Sequence, residues 1–272
     1  MNSKAMEPGQ NIPVETLPNL RDIGGYRAAE GKSVKRGQLY RSVLLARLGD
    51  ADLRKVEELG LKTVFDLRTA AEAEASPDRE IGAREVKLDV LADRTGESAN
   101  SLLAQMENPD AIGSALSNGQ GAEMMKEAYR ELVELPSAIS SYRTFFTDLA
   151  AMGTVPALFH CTTGKDRTGW AAASTLLFLG VEEEDVFHDY LLTNQQLLPA
   201  LKPIFDQFAS AGGDPAVLKP VLCVEREYLQ TAIDLMKSRY GSIDGYMREG
   251  LSLDGEVLES LRARLLVGQP TA

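Results

Sequence analysis

The part of the sequence that most constrains the fold lies between residues 155 and 179, where two apolar runs enclose ten residues of different chemistry. The first run reads VPALF, and the second reads WAAASTLLFL, a composition that favours helix. The residues between them read HCTTGKDRTG and include one of the two cysteines and one of the two histidines of the chain. A buried strand that leads through a turn into a buried helix is a building unit of α/β folds. We therefore predict that the reactive side chains lie on a strand-to-helix turn.

The first two thirds of the chain mix strand patterns with helix patterns. Short apolar or alternating segments predict strands at 38–42, 61–66, 84–90 and 154–160. Apolar residues at helical spacing predict helices at 50–59, 123–135 and 138–152, and from the turn to about residue 180. The last third predicts helices only, at 183–198, 201–209, 225–240 and 256–266. The expected fold is α/β, with a central, mostly parallel sheet of four to five strands flanked by helices and a helical C-terminal third.

No internal repeat and no long linker divides the sequence, so we predict a single domain over residues 1–272. The hydrophobic content of 44% is sufficient for a sizeable core. Residues 1–16 are polar and contain two prolines, which predicts a loose lead-in. Residues 92–121 are rich in Asn, Ser, Gly and Asp, and there we predict a solvated insertion, with a lid over a pocket as the functional alternative.

The net charge and the number of cysteines restrict which classes of binding partner and which cell compartment are expected. With 29 Lys and Arg against 40 Asp and Glu, the net charge is −11, which disfavours nucleic acid and anionic membranes as partners. Cys161 and Cys223 are too few for a disulfide framework, which favours a reducing compartment. Because the sequence shows no signal-peptide pattern and no membrane-spanning apolar run, we expect a cytoplasmic protein without a transmembrane segment. Export without a signal peptide stays compatible with the sequence.

The turn itself has the residues of an anion-binding nucleophilic site. Its backbone N–H groups, placed before a helix, can converge on a dianion, and Gly164 allows the tight curl that this requires. Arg167 offers a planar fork of donors that matches two phosphate oxygens. The same positive field favours the thiolate form of Cys161, which is the nucleophilic form. A thiolate beneath a bound phosphate can attack phosphorus in line and form a cysteinyl-phosphate that water then hydrolyses.

These residues resemble the Cys-x5-Arg signature of the protein tyrosine phosphatase superfamily. The segment GKDRTG is similar to the corresponding segment in the atypical bacterial branch of the mycobacterial phosphatase B type. That branch is associated with dephosphorylation of tyrosine and, in some members, of phosphoinositides. NLRDIGG at 19–25 and VFDLRT at 64–69, followed by Glu72, resemble further motifs of that branch. The triplets YRS at 40–42 and YGS at 240–242 fall in the expected order, so the resemblance runs from about residue 17 to about residue 266.

The resemblance implies a role for each residue of the turn. Cys161 is expected to be the nucleophile and Arg167 the phosphate clamp. His160 is expected to help hold the thiolate, and the Thr168 hydroxyl to stabilise it as it leaves in the second step. Backbone N–H groups that bind phosphate are expected from Thr162, Thr163, Gly164, Lys165 and Asp166.

The general acid is the role that the sequence leaves open. Many relatives have it in a Trp-Pro-Asp loop, but Trp170 is the one tryptophan here and Pro-Asp does not follow it. The branch resemblance points to Asp166 as the acid, with Asp89 and Asp93 as alternatives. Asp66 and Arg68 are instead expected to form a structural pair that braces the loop.

For the other charged or reactive residues, we expect structural or supporting roles. Lys165 is expected to add positive charge at the pocket mouth, where it could meet a second phosphate. Arg41 is expected to be structural. Residues 19–25 are expected to have a structural role near the active site, with a simple turn at Gly24 and Gly25, across which Arg21 pairs with Asp22, as the alternative. Cys223 is expected to lie in the core, and His188 to be an ordinary residue of a helix. The histidines and cysteines are too dispersed in the sequence for a metal site, so no metal or other cofactor is expected.

The sequence therefore predicts a phosphomonoester hydrolase, with phosphotyrosine in a protein as the first substrate class. Dual specificity toward phosphoserine and phosphothreonine, or activity on phosphoinositides, is the nearest alternative. More distant alternatives are an anion enzyme of the rhodanese or arsenate reductase kind and an inactive phosphate-binding module.

Overall fold

The computed structural model of the protein describes residues 7–95 and 108–268. Its strands are β1 (Arg21–Asp22), β2 (Lys32–Val34), β3 (Leu39–Ser42), β4 (Thr63–Asp66), β5 (Arg84–Lys87), β6 (Ala157–His160) and β7 (Leu266–Gly268). Five of them form one sheet in the order β1-β3-β6-β4-β5, in which only β1 and β3 are antiparallel neighbours. β2 and β7 pair antiparallel in a separate small sheet. The predicted α/β fold with a mostly parallel central sheet is confirmed.

Helices account for most of the remaining described chain. They are α1 (Asp50–Glu57), α2 (Ala70–Ala75), α3 (Pro109–Leu116), α4 (Gln120–Glu134), α5 (Pro136–Ala150), α6 (Asp166–Phe178), α7 (Glu183–Ser210), α8 (Lys219–Leu222), α9 (Arg226–Tyr240), α10 (Ile243–Gly245) and α11 (Gly255–Leu265). Short 3-10 turns occur at Ala29–Gly31 and Pro215–Leu218, and a π-helical turn at Tyr246–Gly250. Within the described ranges, no helix combines the length and the apolar character needed to cross a membrane.

The parallel strands end at one edge of the sheet. Their register places Ser42 at the end of β3 beside His160 at the end of β6, and His160 beside Asp66 at the end of β4. The loops that follow the three strands therefore start side by side, which is where open α/β sheets bind ligands.

Alternate residues of the central strands pack on opposite faces of the sheet, as the two-residue period of a strand requires. Leu158 and Val64 belong to a smaller core that α1 covers with Val56. Phe159 and Phe65 belong to the larger core, where they meet Phe145 of α5 in edge-to-face contacts. The loop after β6 is thus supported by packed side chains on both faces.

The sequence predicted two helices, at 183–198 and 201–209, but the structure has the single helix α7. Pro199 and Pro203 lie inside it. Each proline removes one helical hydrogen bond, yet Leu197, Leu201 and Phe208 are buried along the helix. Burial of this apolar face outweighs the local preference of proline to end a helix.

In two other segments the structure is more ordered than the polar composition predicts. Residues 7–16 are held in place rather than loose, because Ile12 N–H donates to the Leu20 carbonyl and Val14 is buried. Within the predicted insertion at 92–121, α3 packs Ile112 and Leu116 into the larger core. Residues 1–6 and 96–107 lie outside the described part of the chain, and a lid function of 92–121 stays a prediction.

Phe145 offers a test of the larger core. Its ring lies 5.0 Å from that of Phe65, 5.1 Å from that of Phe146 and 5.4 Å from that of Phe159, measured between centroids. Because it is fully buried, we expect Phe145→Ala to lower the free energy of unfolding by about 3–5 kcal/mol. Guanidinium denaturation measures this, and Met152→Ala, at a side chain that is 86% exposed, should change almost nothing. Equal stability of the two variants would contradict the packing described here.

Candidate active site

The loop after β6 connects Cys161 to the start of α6, and we call residues 161–167 the signature loop. Cys161 is buried, and Gly164 has a φ of 61°, a left-handed conformation that glycine adopts without strain. A Cβ atom at Gly164 would lie 2.1 Å from the Ser42 carbonyl oxygen. Only glycine therefore allows the loop to curl this closely against the end of β3.

The signature loop leaves a row of backbone donors unused. Among the described residues, no hydrogen bond engages the backbone N–H groups of residues 162 to 167. The carbonyl of Gly164, by contrast, accepts from Arg41 Nη2 at 2.8 Å and from Asn19 Nδ2 at 3.0 Å. Successive unused N–H groups at the start of a helix form a concavity suited to an anion.

A buried charge cluster holds the Gly164 carbonyl in place. Asp189 of α7 pairs with Arg21 Nε at 2.9 Å and with Arg41 Nη1 at 3.0 Å. Arg21 also donates to Asn19 Oδ1, so both side chains that contact Gly164 are fixed by the same carboxylate. The Asn19 and Arg21 side chains thus lie beside the signature loop, in line with the predicted structural role of residues 19–25 near the active site. In place of the alternative pairing with Arg21, the Asp22 carboxylate accepts from Gly24 N–H and from the backbone N–H of residue 37.

Burial and mutual repulsion act on the charges of this cluster. Burial, together with the charge of Arg21, lowers the pKa of Arg41 to about 10, so the guanidinium stays charged at neutral pH. Burial opposes ionisation of Asp189, but the two arginines outweigh it and lower its pKa. The cluster therefore carries one net positive charge behind the signature loop.

Arg167 is oriented by Glu72. Glu72 lies in the first turn of α2, where it forms a capping box with Thr69, and accepts from Arg167 Nη1 at 2.5 Å and Nη2 at 2.8 Å. Arg167 Nη1 also donates to the Leu67 carbonyl at 3.3 Å. A guanidinium has five N–H groups. Three are used here, which leaves Nε–H and one Nη2–H, adjacent donors that match two oxygens of a phosphate.

The same contact fixes the charge of Glu72. Burial disfavours the carboxylate, but the hydrogen bonds and the charge of Arg167 outweigh it and lower its pKa to about 2. The Thr162 hydroxyl adds a hydrogen bond to Glu72 Oε1 at 2.6 Å. Burial opposes the charge of Arg167 as well, but Glu72 raises the pKa of that guanidinium above its usual range.

Three carboxylates were candidates for the acid. Asp166 lies in the signature loop, is 26% exposed, and accepts from the Tyr129 hydroxyl at 3.0 Å. Asp89 accepts from the N–H groups of Ala70 and Leu91. Asp93 accepts from the Ser137 N–H at the start of α5. The latter two carboxylates are thus engaged by backbone donors, whereas Asp166 is held by a side-chain hydroxyl.

The Lys165 side chain is buried, whereas the sequence predicted it at the pocket mouth. Its side chain is 4% exposed, and its ammonium donates to the carbonyls of Val221 at 2.7 Å and Cys223 at 3.2 Å. A buried ammonium needs acceptors, and the end of α8 supplies carbonyls that the helix itself leaves unpaired. The Lys165 ammonium is therefore engaged by protein carbonyls and lies 3.4 Å from Asp166 Oδ2, while its backbone N–H remains in the loop.

The residues beneath the loop form a second charge network. Arg68 pairs with Asp66 at 2.7 Å, as expected, and with Asp78 at 2.8 Å. Asp78 in turn lies 3.0 Å from His160 Nε2, and the other ring nitrogen is 3.2 Å from the Cys161 carbonyl. Asp66, Asp78 and His160 form one group of potential metal ligands. The Arg68 guanidinium between the two carboxylates already balances much of their charge.

The remaining predicted residues are placed as follows. The Thr168 hydroxyl is buried and has no hydrogen-bond partner among the described residues, so it is available to a group in the loop. Cys223 is buried in the core, as expected. His188 lies on the exposed side of α7, away from the buried face that holds Asp189.

Sequence reasoning missed Asp189, Tyr129 and Asp78. The one usable signal was at Asp189, an acidic residue that shares the buried face of a helix with Val186 and Tyr190. Tyr129 sits in an ordinary amphipathic helix and Asp78 in a polar loop, so neither has a local pattern that marks it. Glu72 was noted only as part of a motif, without its contact to Arg167.

Comparison with known proteins gives three close relatives. A sequence profile described as the tyrosine phosphatase family matches residues 12–267. A putative tyrosine-protein phosphatase of Cupriavidus necator is 32% identical, over 95% of this chain and 89% of that protein. The triple specificity protein phosphatase PtpB of Mycobacterium tuberculosis is 30% identical, over 88% of this chain and 94% of that protein. A tyrosine-protein phosphatase of Nostoc commune is 28% identical, over 88% and 77% respectively.

Removal of the Asp189 charge tests the buried cluster. Because Asp189→Asn leaves two buried guanidinium groups without a counter-charge, we expect the free energy of unfolding to fall by about 3–5 kcal/mol. The measurement is urea denaturation at neutral pH. The control is Asp206→Asn on the same helix, where an exposed pair with Lys202 is lost and stability should hardly change. A loss as small as that of the control would show that the cluster does not depend on Asp189.

The low pKa of Glu72 predicts a pH dependence of stability. A carboxylate with a folded pKa of about 2, against an ordinary value of 4.5, stabilises the fold fully above about pH 5. That contribution is lost as the pH falls from 4.5 toward 2, because folding then requires loss of a proton. We therefore expect the stability difference between wild type and Glu72→Gln to shrink over this range in urea denaturation. A difference independent of pH would contradict the assignment.

Proposed function

The chain belongs to the tyrosine phosphatase family and is a cysteine-dependent phosphatase, and we propose that it hydrolyses phosphotyrosine in proteins. The observation that carries the proposal is the set of unused backbone N–H groups at residues 162 to 167, beside Cys161 and the two available donors of Arg167. This arrangement fits the three non-bridging oxygens of a phosphoryl group and leaves its fourth oxygen, the ester oxygen, opposite the sulfur.

In the proposed first step, the Cys161 thiolate attacks phosphorus and an S–P bond forms while the P–O bond to the tyrosine breaks. Asp166 donates a proton to the leaving phenolic oxygen. In the second step, a water attacks the cysteinyl-phosphate, Asp166 takes a proton from that water, and the thiolate leaves. The unpaired Thr168 hydroxyl is then available to donate to the departing sulfur. Inorganic phosphate and the free thiolate result, so atoms and charge balance over the cycle.

The position of Asp166 within the loop supports it as the acid over Asp89 and Asp93. It is partly exposed, and it precedes Arg167 directly, so it stays with the phosphate that this residue binds. The role of His160 in the proposal is indirect: its contacts with Asp78 and the Cys161 carbonyl fix the end of β6 from which the nucleophile projects.

Phosphoserine and phosphothreonine form the second substrate class in the proposal, because one relative is named a triple specificity phosphatase. Phosphoinositides come third. Their support was Lys165, whose side chain is instead bound to the carbonyls near α8. A cytoplasmic location is also part of the proposal, since both described cysteines are free thiols.

Phosphate release from a substrate panel tests the proposal. The panel contains phosphotyrosine, phosphoserine and phosphothreonine peptides and mono- and bisphosphorylated phosphoinositides, with a chelator present. We expect the highest kcat/KM for phosphotyrosine, no release by Cys161→Ser, and a fall of about 100-fold for Asp166→Asn because proton donation is lost.

The controls separate the alternatives. Thermal unfolding of each variant shows that the fold is intact, and Cys223→Ser, which removes the other thiol, should keep the substrate order. Preference for a phosphoinositide would reject the protein substrate. Failure to release phosphate from any member would reject the phosphatase proposal, and sulfur transfer and arsenate reduction would then be measured.

A further inference from the structure

Two buried tyrosines from different helices converge on Asp166. Tyr129 of α4 donates to Asp166 Oδ1 at 3.0 Å, and the hydroxyls of Tyr129 and Tyr190 of α7 lie 2.6 Å apart. Both side chains are almost fully buried, and their rings meet edge to face with centroids 6.1 Å apart. Neither residue belongs to the signature loop or to the motifs of the sequence.

The direction of each hydrogen bond between Tyr190, Tyr129 and Asp166 follows from the chemistry of the three groups. An ionised carboxylate only accepts hydrogen bonds, and a phenol has one O–H group, so the Tyr129 hydroxyl donates its hydrogen bond to Asp166. Tyr190 must then donate to the Tyr129 oxygen. Burial first, and then the charge of Asp166, raise the pKa of both tyrosines well above the usual range, so both remain protonated donors.

Gly169, the last residue of the ten-residue segment HCTTGKDRTG, leaves space for the two tyrosine side chains. A Cβ atom at Gly169 would lie 3.2 Å from the Tyr190 ring and 3.8 Å from the Tyr129 hydroxyl. A contact of 3.2 Å is tighter than ordinary van der Waals packing. Glycine at this position of α6 therefore lets the tyrosine pair approach the first turn of the helix, where Asp166 lies.

We propose that Tyr129, supported by Tyr190, is a positioning residue for Asp166 in the phosphatase reaction. The inference rests on the proposed role of Asp166 as general acid and base. Tyr129 fixes Oδ1 and so leaves Oδ2 as the atom that holds and transfers the proton. The Tyr129 hydroxyl therefore orients the carboxyl, and Lys165 Nζ, 3.4 Å from Oδ2, pairs with this oxygen once the proton has been transferred. Such rigid placement is what proton transfer to a leaving group requires.

Dependence on the leaving group tests this role. The kcat/KM for a series of aryl phosphates, from 2,4-dinitrophenyl phosphate to phenyl phosphate, reports the first chemical step, and only poor leaving groups need the acid. We expect Tyr129→Phe to lower kcat/KM for phenyl phosphate by about tenfold and to change that for the dinitrophenyl ester little. Asp166→Asn should steepen the dependence further.

Tyr142→Phe is the matched control, because it removes a buried hydroxyl that donates to the Arg167 carbonyl at 3.0 Å and, among the described residues, is not hydrogen-bonded to Asp166. It should lower kcat/KM by a similar factor for every ester. In the Asp166→Asn background, Tyr129→Phe should no longer change the leaving-group dependence, since the two residues act as one unit. A uniform loss in Tyr129→Phe, or a loss that persists fully in the double variant, would overturn the positioning role.

Failure of the proposed function gives a different result. If Asp166→Asn shows the leaving-group dependence of wild type, Asp166 is not the acid, and the inference fails with it. If Asp166→Asn steepens the dependence and Tyr129→Phe does not, only the inference fails. Should Tyr129→Phe not fold, Tyr190→Phe retains the direct bond to Asp166, and we expect from it a smaller steepening in the same direction; no steepening would reject the proposal.

Discussion

The site depends on one buried carboxylate, that of Asp189, which holds Arg21 and Arg41 in place. Through Arg41 and Asn19, it fixes the carbonyl of Gly164. A peptide whose carbonyl is bound on one side presents its amide on the other, so a contact from α7 orders the amides of the signature loop. The cost of burying these charges is met because each has a partner of opposite sign or a backbone acceptor.

The positively charged side chains around the signature loop make different contacts. Arg41 acts behind the loop and Lys165 ties it to the carbonyls near α8. Arg167 keeps two adjacent donors free, because Glu72 and the Leu67 carbonyl use three of its five N–H groups. The overall charge of −11 is thus compatible with an anion site, since local cations fixed by hydrogen bonds decide the field there.

Local patterns predicted most of the sheet. The four predicted strands were found, although β4, β5 and β6 are each shorter than the predicted segments 61–66, 84–90 and 154–160. The patterns were wrong at α7, where Pro199 suggested a break, and at residues 7–16, where polar composition hid the buried Val14. In both cases burial against distant parts of the chain overrides a local preference, and a window of the sequence contains no information on that burial.

The sequence by itself determined the strand, the turn and the helix around Cys161, because apolar runs and glycine positions encode them locally. It also determined the spacing of Cys161 and Arg167, which one short loop fixes. Only the tertiary structure decided that Lys165 points inward, that Glu72 orients Arg167, and that Tyr129 holds Asp166. These partners come from helices far apart in sequence, so their meeting depends on how the elements pack.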